Sequence, residues 1–144
     1  MNEVAFHFNA ADKVAHACRL LRKAWGLGHR VVVVADAPTL RALDGALWTF
    51  SQADFLPHCV AGAAQPGVLA RTPLVLAADT AAVPHHEVLV NLTTGVPEGF
   101  EKFARLIDVV GLDEEDRQAA RERWKHYKAR GLPLVRHDLA ESRA

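Results

Sequence analysis

The run Arg30-Val-Val-Val-Val-Ala35 constrains the fold of this chain more than any other segment. Four consecutive β-branched residues favour an extended backbone. Successive side chains of a strand point to opposite faces, so an unbroken apolar run must be covered on both sides. That places residues 30–35 in the middle of a parallel sheet with helices on each face. The flanking segments agree. Residues 3–8 alternate, with Val4, Phe6 and Phe8 on one face. Residues 10–25 have helical spacing, with Val14, Ala17, Cys18, Leu21 and Trp25 as the inner stripe and Gly26 and Gly28 as the stop. Pro38 opens a second helix lined by Leu40, Leu43 and Leu47. Residues 61–71, rich in Gly, Ala and Pro, read as a surface connection. Apolar strands are predicted at 74–77 and 87–92. Phe103, Leu106 and Ile107 give residues 100–110 a helical period. A last helix runs from an Asp113 cap, with Asp116 completing a weak capping box, to Gly131 and Pro133. This order predicts a single domain over residues 1–144, an α/β three-layer sandwich with a mainly parallel central sheet and helices on both faces.

An α/β order raises the prospect of a nucleotide- or metabolite-binding enzyme, but the chemistry for it is thin. A P-loop needs a Gly-Lys pair, and the chain has none. Gly26-Leu-Gly28 follows a helix and precedes a strand, the reverse of the context in which phosphate meets a helix N-terminus. The turn after the first strand, Phe8-Asn-Ala-Ala-Asp12, carries no glycine. His85-His86-Glu87 is the densest group of metal-ligand types, yet neighbours at a strand entrance point apart. His7, His16 and His29 lack helical i+4 partners. Ser51 and Ser142 are the only serines, and no Gly-x-Ser-x-Gly elbow exists. The expectation is therefore no catalytic residue, no metal and no cofactor. Cys18 and Cys59 have no CxxC spacing, no secretory signal opens the chain, and no apolar run approaches the ~18 residues of a membrane span. A reducing cytoplasmic setting without membrane contact fits these features. Seventeen basic and seventeen acidic residues cancel, which argues against gripping nucleic acid through an overall field and leaves local basic patches open.

One such patch lies on the last helix. At about 100° per residue, Arg117, Arg121, Lys125 and Lys128 share a stripe with Trp124 at its edge. Ala120, Trp124 and Tyr127 form the adjoining apolar strip that docks the helix. A fixed cationic ridge beside an aromatic ring suits an acidic peptide ending in an apolar residue. The same stripe could take single-stranded DNA, but one ring is few for a stacking platform.

The segment Ala119-Ala-Arg-Glu-Arg-Trp-Lys-His-Tyr-Lys-Ala-Arg-Gly-Leu132 resembles the closing helix of the chi subunit of bacterial DNA polymerase III. Phe6-His-Phe8 is similar to that family's opening strand. Ala46-Leu-Trp48 followed by Ser51-Gln-Ala-Asp-Phe-Leu-Pro-His58 is similar to its A-L-W…S-F-[VL]-P-H segment. The resemblance implies a clamp-loader accessory protein that binds the C-terminal tail of single-stranded DNA-binding protein, which is acidic and ends in Pro-Phe with a free carboxylate. Carried over, Arg121 would take that carboxylate and Trp124 would flank the Phe pocket. Arg117 and Lys125 would meet aspartates, Lys128 would extend the stripe, and Val110 and Leu112 would supply apolar walls. Trp48, Phe55, Leu56 and Pro57 would receive psi, the second accessory subunit. DNA would be reached only indirectly through these partners.

Overall fold

The four valines of β2 (Val31–Val34) sit at the centre of a seven-stranded sheet in which every pairing is parallel. The computed structural model describes residues 1–49 and 56–140. In chain order the elements are β1 (Glu3–Ala10), α1 (Lys13–Gly26), β2, α2 (Ala37–Thr49), β3 (His58–Val60), α3 (Pro66–Arg71), β4 (Leu74–Ala77), β5 (Val88–Asn91), β6 (Arg105–Gly111), α4 (Glu114–Ala129) and β7 (Leu134–Asp138). A short 3-10 turn at Phe100–Lys102 lies between β5 and β6. The strand order is β3-β4-β2-β5-β6-β1-β7. Val31 and Val33 face Ala17, Leu21 and Leu43 of α1 and α2. Val32 and Val34 belong to the opposite cluster, with Phe100, Phe103, Ala120 and Tyr127. The expected three layers are present, with α1 and α2 below the sheet and α4 above it. Among the described residues no helix is long and apolar enough to cross a membrane.

The helical expectation for residues 100–110 is overturned. Residues 105–111 are β6, paired with β5 on one side and β1 on the other. Leu106, Asp108, Val109 and Val110 are all buried, as a strand covered on both faces requires. Phe103, Leu106 and Ile107 mimic helical spacing because such strands are apolar at nearly every position. The stretch 61–71 read as a connection holds the short helix α3, with Pro66 at its first turn. Trp25 is also corrected: it stands at the last turn of α1, beyond the cluster that Leu21 closes, and is 42% exposed.

The ends of α4 explain its position. The Asp113 carboxylate accepts from the Asp116 N–H at 2.7 Å, and three acidic residues in the first turn complement the helix dipole. The expected capping box does not form. Asp116 turns instead to the end of β6, where its carboxylate accepts from the buried Gly111 N–H and pairs with Lys13 at 3.2 Å. A Cβ on Gly111 would lie 3.1 Å from that carboxylate oxygen, so the close approach depends on glycine. At the other end Gly131 adopts φ +75°, Leu132 N–H donates to Tyr127 O and Gly131 N–H to Lys128 O. This is a Schellman stop.

Candidate functional site: a cationic groove along α4

Inside the sheet-facing side of α4 lies an ion pair that sets the helix in register. Arg123 and Asp108 have side chains 2% and 0% exposed. The Arg123 guanidinium donates to both Asp108 oxygens at 2.7–3.1 Å and, through Nη1, to Thr94 O at 2.7 Å. Asn91 Nδ2 and Tyr127 Oη each donate to the same carboxylate at 3.4 Å. Burial pushes the Asp108 carboxyl up, and the Arg123 fork opposes that shift. Burial, then the neighbouring Asp108 charge, likewise raises the Tyr127 hydroxyl, which stays protonated as a donor. Arg123 is not among the residues expected from the sequence to matter on α4. Its signal was present: Arg123 shares the apolar side of α4 with Ala120 and Tyr127, and Asp108 stands inside an apolar strand.

With α4 so fixed, a groove of about 640 Å3 opens between it and the carboxyl ends of β1 and β6. Phe6 and Phe8 floor it. The Trp124 ring meets Phe6 edge to face with centroids 5.1 Å apart. Arg117, Arg121 and Lys125 rim it from the helix and Arg136 from β7, and among the described residues no carboxylate lines it. Arg136 lies over the Phe8 ring, 4.8 Å from its centre. Asn9 adopts φ +64°, beside a register shift where β1 pairs with β6. That twist lets its amide accept from Arg117 Nη2 at 2.9 Å and donate to Asp138 Oδ1 at 2.9 Å. Arg121 Nη1 reaches Glu114 at 3.0 Å and Gln118 at 2.9 Å, all on the exposed surface. Glu114 therefore belongs to the same stripe, which is cationic only from Arg117 onward.

The expected tail residues divide. Arg117, Arg121, Trp124, Lys125 and buried Val110 converge on the groove. Leu112 does not: it is 52% exposed and faces a separate cleft with Lys13, Asp36 and Asp113, because the chain turns away after Gly111. Lys128, one turn beyond Lys125, is exposed and outside the groove lining. Phe6, Phe8, Asn9 and Arg136 complete the site and were not expected there. Arg136 is not legible from the sequence because the short segment 134–138 after the Gly131 stop carries too little alternation to mark a strand.

At the far edge of the sheet Trp48 is 58% exposed, its ring 4.9 Å from that of His58. His58 is held between Leu56 O at 2.8 Å and the Asp44 carboxylate at 3.0 Å. Pro57 is half-buried beside it. Leu56 is corrected from a surface contact to a core residue, 2% exposed in the cluster with Leu43 and Leu47. Phe55 lies outside the described residues. His85, His86 and Glu87 turn to different partners, Thr72, the Phe103 ring and His29.

An all-parallel α/β sandwich with a cationic, aromatic-floored groove and a glycine-free first turn defines the class. The C-terminal domain of the DEAD-box protein Dbp5 has a similar fold, with a TM-score of 0.63 at 14% identity, covering 96% of this chain and 90% of that one. The profile described as DNA polymerase III chi subunit, HolC, matches residues 1–135. DNA polymerase III subunit chi of Pseudomonas aeruginosa is 36% identical over 85% of this chain and 84% of its own length. The Escherichia coli K12 subunit chi is 29% identical over 81% and 79%. The chain belongs to the DNA polymerase III chi subunit family, and so to DNA replication.

Proposed function

We propose that this protein is a single-domain, non-catalytic adaptor of the replisome. Its α4 groove would receive the acidic C-terminal tail of single-stranded DNA-binding protein, and the surface around Trp48 and Pro57 would receive psi, linking that protein to the clamp loader. The observation that carries the reading is the groove itself: four cations around three aromatic rings, with no lining carboxylate among the described residues. Arg121 takes the terminal carboxylate. Phe6, Phe8, Val110 and Trp124 enclose the terminal phenylalanine. Arg117, Lys125 and Arg136 meet the aspartates, and Lys128 adds only long-range attraction. Contact with DNA through this face is indirect.

Arg121 must exchange Glu114 for the incoming carboxylate. An exposed pair of that kind contributes roughly 0.2–1 kcal/mol, whereas a charged hydrogen bond beside a buried ring contributes more. Glu114→Gln is therefore expected to tighten tail binding about two-fold, read by anisotropy of a labelled acidic peptide ending in Pro-Phe. The unmodified protein should bind that peptide with a Kd on the order of micromolar, weakening as salt rises. Absence of saturable binding, or binding indifferent to salt, would contradict the reading.

A further inference from the structure

A second groove, of about 830 Å3, lies on the opposite side of the sheet between α1 and the β6-β1-β7 edge. It shares only Arg136 with the α4 groove and does not depend on what that groove binds. Three imidazoles meet in it. His7 Nδ1 lies 2.9 Å from His16 Nε2, and the rings of His7 and His137 stand edge to face with centroids 4.9 Å apart. Arg19 and Lys23 line it from α1, and among the described residues neither has an ion-pair partner. Arg105 on β6 has, among the described residues, only Glu3 as an ion-pair partner, at 3.7 Å. Among the described residues Asp138 is the one carboxylate in the lining, and it already accepts from the Asn9 amide and the Ala140 N–H.

Two facing ring nitrogens invite a metal, but the surrounding Arg and Lys oppose a cation. Among the described residues no three ligand groups are placed so that they could hold a metal ion together. An anion suits the field. Arg19 and Lys23 are one helical turn apart, about 6 Å along α1, a spacing comparable to that between phosphates of an extended strand. Among the described residues the lining contains no Phe, Tyr or Trp to anchor an apolar peptide terminus, while imidazoles can stack on bases. A concave groove follows one strand rather than the convex outside of a duplex. We propose that this groove binds the phosphodiester backbone of single-stranded nucleic acid. The zero net charge is an average over the molecule and does not describe this face.

The site is linked to protons. Burial holds His7 down at about 4, helped by the nearby His16 on α1, His137 on β7, Arg105 on β6 and Lys23 on α1. A phosphate entering the groove offsets those charges and favours the imidazolium, so protons are taken up on binding. Affinity should rise as pH falls.

The test uses the full chain and fluorescein-labelled oligo(dT) of twenty nucleotides at low salt, read by anisotropy. Binding is expected with a Kd of about 10–100 μM, several-fold tighter at pH 5 than at pH 8. The exposed pair Arg19→Ala/Lys23→Ala should weaken it at least five-fold while leaving the affinity for the acidic Pro-Phe peptide unchanged. His7→Gln should flatten the pH dependence. Failure of the unmodified chain to bind, equal binding by the double variant, or displacement of the oligonucleotide by poly-glutamate at equal charge concentration would each overturn the proposal. The last result would identify an acidic peptide as the occupant.

Discussion

Arg123→Ala is expected to cost about 3–5 kcal/mol of folding stability, the largest loss from any single change on α4. The reason is the group left behind. Asp108 is fully buried, and without the guanidinium its carboxylate keeps, among the described residues, only two weak hydrogen bonds, from Asn91 and Tyr127 at 3.4 Å. Thr94 O loses its donor as well. Denaturant unfolding of the variant would show a lower midpoint with a similar slope. Replacing both members together, Asp108→Leu with Arg123→Met, removes the stranded charge and should recover most of the loss. A cost below about 1 kcal/mol for the single variant would mean that Asp108 is not dependent on Arg123. Because α4 is one wall of the groove, Arg123→Ala should also weaken peptide binding, although Arg123 touches no ligand.

Arg121→Ala is the counterpart, with a large effect on binding and little on folding. Loss of the group that meets the terminal carboxylate should weaken the tail peptide by roughly 30-fold, about the 2 kcal/mol of an interface hot spot. Its present partners are exposed, so folding stability should change by less than about 0.5 kcal/mol. Lys128→Ala, outside the groove, should change affinity by no more than about two-fold and only at low salt. Peptide titrations of the two variants side by side give the comparison. Equal losses would mean that the helix acts through its overall charge and that the groove has no special place.

Much of this architecture is legible in the chain because it rests on local periodicity. Val31–Val34 can only be a strand covered on both faces, and Asp113 and Gly131 mark the ends of α4 by backbone rules that hold anywhere. Residues 105–111 misled because burial on both faces erases the alternation that distinguishes a strand. The site follows the same division. Arg117, Arg121, Trp124 and Lys125 come from one helix, so their spacing places them together. Phe8, Asn9 and Arg136 join them only because β1 and β7 are neighbours in the sheet, a fact of topology that no short window contains. Leu112 adjoins the helix in sequence but points into another cleft, since Gly111 and Asp116 redirect the chain.

The central claim is that the α4 groove recognises the free carboxylate at the end of an acidic chain, with the terminal ring against Phe6, Phe8 and Trp124. Two peptides of identical acidic sequence ending in Pro-Phe, one with a free C-terminus and one amidated, test it by titration against the same protein at physiological salt. Amidation is expected to weaken binding at least ten-fold, and Arg121→Ala should remove that difference. Equal affinity of the two peptides for the unmodified protein would contradict the account.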